Sequence, residues 1–306
     1  AWAGWKCQVL PMADLLLTTL GITWQIVPEL YAFTNPQAVD LFIHHPERER
    51  LNELRLKYNL QGADQIWVVT TKGANTEEAL NHLWHWHSLL SPEDKPELSV
   101  WQVARTRDLA SEQECRRMQE VIFRVVLHAW EKKSANGVIL SLAGGRKTMS
   151  SDMQQAAAFF GTKALVHVVD NPEHSQAMRT MQPQDFIGPL PVSLKDAATP
   201  LITGSFDPNP LLETQSMNQV VPLDGKFFPI VMPATDAYAC EIGDESGRSL
   251  VQEIEHRTRQ AEVLLCNYVQ SMRQNYGPSN FHAFRLLRQG TLRIFCKPFR
   301  LLPGHI

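Results

Sequence analysis

The sequence predicts an α/β protein built on a Rossmann-like, doubly wound and mainly parallel sheet with helices on both faces. Two observations lead to this prediction. Short apolar runs alternate along the chain with longer stretches of helical character, and several of these runs end close to a glycine, a threonine or a basic residue. We expect a small β-hairpin region and a C-terminal helical linker to follow the sheet.

Five apolar runs are predicted to be strands: Asp14–Leu20, Ile66–Thr70, Leu98–Val103, Gly137–Leu142 and Ala164–Val169. These runs are largely continuous and do not alternate with polar residues. Such runs are typical of strands that are covered on both faces of a sheet. Because strands of this kind alternate here with helices, parallel pairing is expected.

Helices are predicted between the strands. The four stretches are Thr23–Phe33, Thr76–Leu90, Ser111–Lys133 and one that starts near Thr148 or Ser150 and ends at Phe160. The predicted N-terminal caps are Thr23, Asn75 with Glu78, Ser111 with Glu114, and Thr148 or Ser150. Pro28 is expected to kink or interrupt the first helix. Gly161 follows the fourth helix in the position that favours a positive φ.

A change of composition near residue 175 predicts the domain organisation. We expect an N-terminal extension (1–11), an α/β domain (12–175), a proline-rich β-hairpin region (176–244) and a helical linker (245–306). The Asp224–Gly225 pair predicts the hairpin turn. Between Val251 and Met272, apolar positions recur at alternating spacings of three and four residues. That spacing is typical of a helix at a dimer interface and also of a helix packed on its own domain, and it does not decide between these two interpretations.

Composition excludes several classes of protein. The net charge of −3 provides no overall basic field for long nucleic acid, and no apolar run is long enough to span a bilayer. The five cysteines are scattered and show no CxxC spacing, which favours reduced thiols, a cytoplasmic location and no zinc site. Any phosphate binding must therefore come from local geometry.

A candidate anion site follows the fourth predicted strand. It consists of Ala143, Gly144, Gly145, Arg146, Lys147 and Thr148. The glycines allow a backbone to approach an anion, the two basic residues add charge, and the threonine can donate a hydrogen bond. The stretch matches neither the Walker A motif nor the GxGxxG fingerprint. The alternative is a tight turn with solvated charges.

A similar loop follows the first predicted strand, and it consists of Gly21, Ile22, Thr23 and Trp24. Trp24 can stack on a base, or it can be a core or interface aromatic residue, and taken alone it fits the second interpretation slightly better. Thr71 and Lys72 end the second strand at the same edge of the sheet, and we add them to the site from position alone.

Three histidines, His82, His85 and His87, invite a metal-binding interpretation. Only the first two share a helix face, and no carboxylate or cysteine partner stands beside them, so we expect a half-buried helix face. The sequence shows no credible Ser/His/Asp or Cys/His set. We therefore predict a binding site without catalytic residues and without a metal.

Two segments together carry a resemblance to a known family. LLLTTLGITWQIVPE (Leu15–Glu29) with SLAGGRKTM (Ser141–Met149) resembles the CARF domain, the CRISPR-associated Rossmann fold of type III CRISPR ancillary effectors. The resemblance covers residues 12–175. Within that family the chain is similar to the CARF–adenosine deaminase fusions, and NYGPSNFHA (Asn275–Ala283) resembles the approach to the deaminase barrel.

The resemblance implies a sensor of cyclic tetra- or hexa-adenylate in type III antiviral defence. The ring would lie across a homodimer, in a cradle formed by Gly21–Trp24 and Ala143–Thr148 of each protomer, and would allosterically activate a fused effector. A higher oligomer that includes the effector domain is left open. The effector would be an adenosine deaminase-type hydrolase, and a metal is expected only there.

The motifs of a deaminase barrel do not occur in this sequence, and the basic stretch after Ala283 departs from the expected chain. We therefore expect this chain to be a sensor portion without its effector, with a native start near Met12. Two alternatives remain open. One is a ring nuclease that cleaves the cyclic oligoadenylate with help from Lys147, and the other is a transcription regulator whose basic tail contacts DNA.

Overall fold

The fold is organised around one sheet whose central strands run parallel. The computed structural model describes residues 13–207, 227–231, 238–242, 249–252, 254–256 and 259. The strands are β1 (Asp14–Leu20), β2 (Ala63–Thr71), β3 (Glu97–Val103), β4 (Val138–Ser141), β5 (Thr162–Asp170), β6 (Ala198–Phe206), β7 (Phe227–Val231) and β8 (Tyr238–Ile242). The helices are α1 (Ile26–Thr34), α2 (Arg48–Lys57), α3 (Ala74–Leu89), α4 (Glu112–Lys133), α5 (Lys147–Phe160) and α6 (Ser175–Thr180).

The strand order is β6-β5-β4-β1-β2-β3-β8-β7. The inner pairs are parallel, with Leu17 of β1 opposite Trp67 of β2 on one side and Leu140 of β4 on the other. The β5–β6 and β7–β8 pairs are antiparallel. The prediction of a mainly parallel, doubly wound sheet is confirmed. Because the chain winds outward in both directions from β1 and β4, the topological switch point lies between these two strands.

Both faces of the sheet are buried, and alternate residues of β1 supply the two cores. Leu16 and Leu20 belong to the core under α1 and α3, whereas Leu15 and Leu17 belong to the core under α4 and α5. A strand points successive side chains to opposite faces, so a continuous apolar run is what two covered faces require.

The predicted helices exist, but most of their predicted caps are wrong. The N-cap of α1 is Gln25, that of α3 is Gly73 and that of α5 is Arg146, so Thr23, Asn75, Thr148 and Ser150 do not cap these helices. Pro28 does not interrupt α1, which continues to Thr34, because it lies in the first turn, where its missing N–H has no partner in the helix.

Two predictions about helix ends are confirmed. Ser111 caps α4 by accepting a hydrogen bond from the N–H of Glu114 at 3.2 Å. The Glu114 carboxylate does not complete the capping box, because it accepts instead from the N–H groups of Arg107 and Ala110. Gly161 ends α5 with φ +85°, the left-handed conformation expected for a glycine at this position.

Segments beyond residue 175 extend the sheet. Strand β6 pairs with β5, and the hairpin of β7 and β8 joins the opposite edge through parallel pairing of β8 with β3. The predicted turn at Asp224–Gly225 lies outside the described residues. Leu250, Val251 and Ile254 pack on the core under α4 and α5, which favours a helix packed on its own domain for these positions. The remainder of the spacing up to Met272 lies outside the described residues.

The start of this C-terminal segment is fixed to α4 by one carboxylate. Glu120 accepts hydrogen bonds from the Ser249 hydroxyl at 2.8 Å, the Leu250 N–H at 2.6 Å and the Val251 N–H at 3.1 Å. The buried guanidinium of Arg124 donates to the same carboxylate at 2.7 Å. In the part of the chain that the structure describes, no helix is long and apolar enough to cross a bilayer.

Candidate functional site

The carboxyl ends of β1 and β4 bring the two predicted loops together at the switch point. We refer to Gly21–Gln25, between β1 and α1, as the first loop, and to Leu142–Arg146, between β4 and α5, as the second loop. They are in contact, because a Cβ atom on Gly21 would lie 3.1 Å from the Cα atom of Gly145. Open α/β sheets bind their ligands in this crevice.

Buried threonines hold both loops in place. The hydroxyls of Thr18 and Thr19 donate to the carbonyl oxygens of Ala143 and Gly144, at 3.2 and 3.1 Å. The hydroxyl of Thr70 donates to the carbonyl of Leu20 at 2.8 Å. All three threonines are buried at the end of a strand. Sequence reasoning missed this function, because a threonine at the end of a strand looks like any β-branched strand residue.

Gly144 is required by the protein's own backbone. It has φ +88°, and a Cβ atom there would lie 2.1 Å from the carbonyl oxygen of Thr19. No other residue type fits this approach without displacing β1 or the second loop. The contact made possible by this glycine is therefore with β1, whether or not an anion also binds nearby.

The surface formed by the end of the second loop and the first residues of α5 is cationic and rich in free N–H groups. Arg146, Lys147 and Thr148 are exposed. Among the described residues, the backbone N–H groups of Gly145, Lys147 and Thr148 have no hydrogen-bond acceptor, and the Lys147 ammonium has neither a hydrogen bond nor an ion pair. Two of these N–H groups open α5, where the helix dipole adds a partial positive charge.

Arg146 is already paired in this structure. Its guanidinium Nε donates to Oδ1 of Asp108, in the loop after β3, at 3.2 Å, and a second nitrogen contacts the same oxygen. The hydrogen bond and the charge of Asp108 raise the pKa of Arg146 further above its ordinary value. An anionic ligand that contacts Arg146 must compete with Asp108, whereas Lys147 has no such competitor among the described side chains.

The first loop borders a cavity of about 460 Å³. Its lining residues are Ile22, Thr23, Trp24, Gln25, Asn75, Glu78, Ala79, His82 and Arg179. Ile22 is 71% exposed at the rim, whereas Trp24 is only 4% exposed. The indole of Trp24 is stacked on the His82 imidazole, with ring centroids 5.5 Å apart, and meets the edge of Phe186. Trp24 is therefore a core residue that also forms part of the cavity wall.

Thr71 and Lys72 were predicted to belong to the site only because they end the second strand. The two residues differ in exposure. Thr71 is buried, and its hydroxyl shares a hydrogen bond of 2.9 Å with that of Thr76 in α3. Lys72 is exposed, and its N–H donates to the carbonyl of Thr106 at 2.8 Å. Thr71 thus stabilises the start of α3 and does not face solvent.

The three histidines of α3 lie in different surroundings. His82 is stacked on Trp24, His85 is exposed, and a ring nitrogen of His87 is hydrogen-bonded to the carbonyl of Pro96 at 2.7 Å. Within the described ranges, no group of three or more His, Cys, Asp or Glu side chains is placed to hold a metal ion.

The chain was compared with models of known protein families. Residues 56–193 match the model of the family described as CRISPR-associated protein NE0113. The match supports a CRISPR-associated protein. It therefore also supports a role in CRISPR defence. The matched segment contains the second loop and the cavity residues of α3 and α6, whereas the first loop precedes it. No curated protein matches the chain.

Proposed function

We propose that the chain is a CARF-type sensor that binds a cyclic oligoadenylate, of four or six units, at the first and second loops. One observation above all supports this. At the switch point, Lys147 and the free N–H groups of the second loop lie in the crevice where open α/β sheets bind phosphorylated ligands. The match to a CRISPR-associated family adds support.

The charge of the protein is compatible with such a ligand. A protein that binds long nucleic acid must neutralise many phosphates, and a net charge of −3 does not favour this. A ring of four or six nucleotides has few phosphates, so one lysine, one arginine and several backbone N–H groups from each protomer provide enough donors. The local geometry of the second loop supplies them.

We further propose that the ring binds across a homodimer. A cyclic tetra- or hexa-adenylate has two-fold symmetry, so a two-fold dimer offers identical contacts to its two halves. The exposed Ile22 beside the two loops is compatible with such a surface. Each protomer would then contribute one first loop and one second loop to a shared cradle.

A continuous set of contacts supports transmission of the signal to a fused effector, which we propose is an adenosine deaminase. Arg146 contacts Asp108, and the Glu114 carboxylate holds the segment around Asp108 to the start of α4. Further along α4, Glu120 holds the segment that starts at Ser249. A ligand changes the effector only if it binds two arrangements of these contacts with different affinity.

Isothermal titration calorimetry with cyclic tri-, tetra- and hexa-adenylate tests the proposal. The wild-type chain should bind the tetra- or hexa-adenylate, and Lys147→Ala should weaken that binding by at least about tenfold, because a charge-assisted phosphate contact is lost. The matched control is Lys57→Ala, an exposed lysine at the end of α2, which leads into the amino end of β2.

The titrations show whether a ring binds and whether Lys147 contributes to its binding. Binding by wild type and Lys57→Ala, with a loss in Lys147→Ala, supports the site. Equal affinity of all three proteins contradicts the assignment of Lys147, and absence of heat with every ring contradicts the proposed function. Chromatography of the titrated samples distinguishes a sensor from a ring nuclease, because only cleavage produces linear fragments.

A further inference from the structure

The cavity beside the first loop includes four polar side chains that sequence reasoning did not assign to any site. They are Asn75, Glu78 and His82 of α3 and Arg179 of α6. Thr23, from the first loop, adds a hydroxyl to the same wall. Asn75, Glu78 and His82 are spaced by three and four residues along α3, so they share one face of the helix, and the packing of α3 brings that face beside the first loop.

These polar groups are free to bind a ligand. Among the described residues, the side chains of Thr23, Asn75, Glu78 and Arg179 make no hydrogen bond or ion pair, and the only ring contact of His82 is with Trp24. Glu78 and Arg179 have opposite charges and line one cavity, yet they do not form an ion pair. An arrangement of separated, unpaired charges around a cavity is typical of a ligand site and offers little to stability.

The chemistry of the wall fits a nucleotide. The His82 imidazole, supported by the buried indole of Trp24, provides an aromatic surface on which a base can stack. Asn75 and Glu78 provide oxygen acceptors for an amine, and Arg179 provides a planar cation for a phosphate. A volume of about 460 Å³ lies within the usual range of small-molecule sites.

We propose that this cavity binds one adenine nucleotide of the ring. The adenine stacks at His82, its exocyclic amine donates to Asn75 and Glu78, and Arg179 contacts the adjoining phosphate. This inference rests on the proposed function and extends it, because it adds residues of α3 and α6 to the site. It also assigns base selectivity to the cavity and leaves the phosphate contacts of Lys147 to the second loop.

Two neighbouring glutamates provide a matched test. Glu77 and Glu78 are both exposed and both lie in the first turns of α3, but only Glu78 lines the cavity. Alanine favours helices, so neither Glu→Ala change should unfold α3. Calorimetry with cyclic tetra- or hexa-adenylate, whichever wild type binds, should show at least about a tenfold loss for Glu78→Ala and no more than a twofold change for Glu77→Ala.

A second experiment tests whether the exocyclic amine of adenine is recognised in the cavity. In a ring made from purine riboside, hydrogen replaces the exocyclic amine and nothing else changes. Wild type should bind the purine ring at least about tenfold more weakly than the adenylate ring, because Glu78 is left without a donor. Glu78→Ala should discriminate between the two rings clearly less than wild type does, because Asn75 is then the one proposed acceptor left for the amine. His82→Ala should weaken both rings by a similar factor, whereas the exposed His85→Ala on the same helix should weaken neither.

The results distinguish this inference from the proposed function. If wild type binds no adenylate ring, the proposed function itself fails. If wild type binds the ring and Lys147→Ala loses it, while Glu78→Ala matches Glu77→Ala and the two rings bind equally, the cavity is not the base site. A loss of discrimination confined to Glu78→Ala supports the cavity as the place where the amine is recognised.

Discussion

The two loops at the switch point start from similar elements and present different surfaces. Each follows a central parallel strand and is held by buried threonine hydroxyls. The second loop presents exposed cations and backbone N–H groups, whereas the first loop borders a cavity lined by aromatic and polar side chains. The difference comes from their neighbours, because α3 and α6 line the cavity beside the first loop. A strand end thus determines where a site lies, and packed helices determine its shape.

Gly144 tests how strongly the fold depends on the support of the second loop. Gly144→Ala should lower the free energy of unfolding by at least about 2 kcal/mol, because the new Cβ meets the carbonyl of Thr19 at 2.1 Å and φ is +88°. Gly188→Ala is the matched control, since a Cβ there meets nothing within 4 Å. Urea denaturation of both variants checks this, and equal stability of the two would contradict it.

The helices that follow the two loops each bury a carboxyl group. Burial raises the pKa of Glu29 in α1 well above its ordinary value, and the charge of Asp170 raises it further. Burial also raises the pKa of Asp152 in α5 to about 6, although a hydrogen bond from Gln119 partly opposes this. Both acids therefore keep their protons to a higher pH in the folded protein than in the unfolded chain. The two sides of the sheet should respond to pH in the same direction.

Asp152→Asn removes the titrating carboxyl group of α5 and so measures its contribution to the pH dependence of the free energy of unfolding. Because the folded pKa is about 6 and the unfolded value is 3.8, the stability linked to Asp152 is present below pH 4 and is lost as the pH rises through 6. The free energy of unfolding of wild type minus that of the variant should fall by up to about 3 kcal/mol between pH 4 and pH 7. Urea titrations across this range measure it. A constant difference would contradict the burial of a protonated acid.

The smallest expected effect concerns the pairing of Arg146. Both partners are exposed, so Asp108→Ala should leave the thermal midpoint almost unchanged. It should increase the affinity for the adenylate ring several-fold, because Arg146 no longer has a competing carboxylate. Thermal melts and calorimetry check the two statements. If affinity falls instead, Asp108 orients Arg146 for binding and does not compete with the ligand.

Much of the fold could be predicted from local sequence. The run Asp14–Leu20 is a strand with the predicted bounds, because a continuous apolar run has only one stable place in a sheet covered on both faces. The caps were less predictable. Thr23 and Ser150 are residue types that cap helices, yet α1 starts after the first loop and the Ser150 hydroxyl donates to the carbonyl of Leu142. Loop geometry, which depends on distant contacts, decides where a helix begins.

The candidate site was only partly predictable for the same reason. The loops could be located, because glycines and cations directly follow apolar runs. The cavity could not, because Glu78 and Arg179 are about a hundred residues apart in the chain and become neighbours only through packing. The sequence also did not reveal that Thr18 and Thr19 support the second loop, because their hydrogen bonds to it join residues 125 positions apart in the chain.

Calorimetric titration of the unaltered chain with cyclic tetra-adenylate and cyclic hexa-adenylate is the decisive test of a ring bound across two protomers, since it measures affinity and stoichiometry together. We expect saturable binding of one of these rings with one ring for every two chains, as a shared cradle requires. Absence of binding to either ring would contradict a cyclic oligoadenylate site, and one ring for each chain would contradict a cradle shared between protomers.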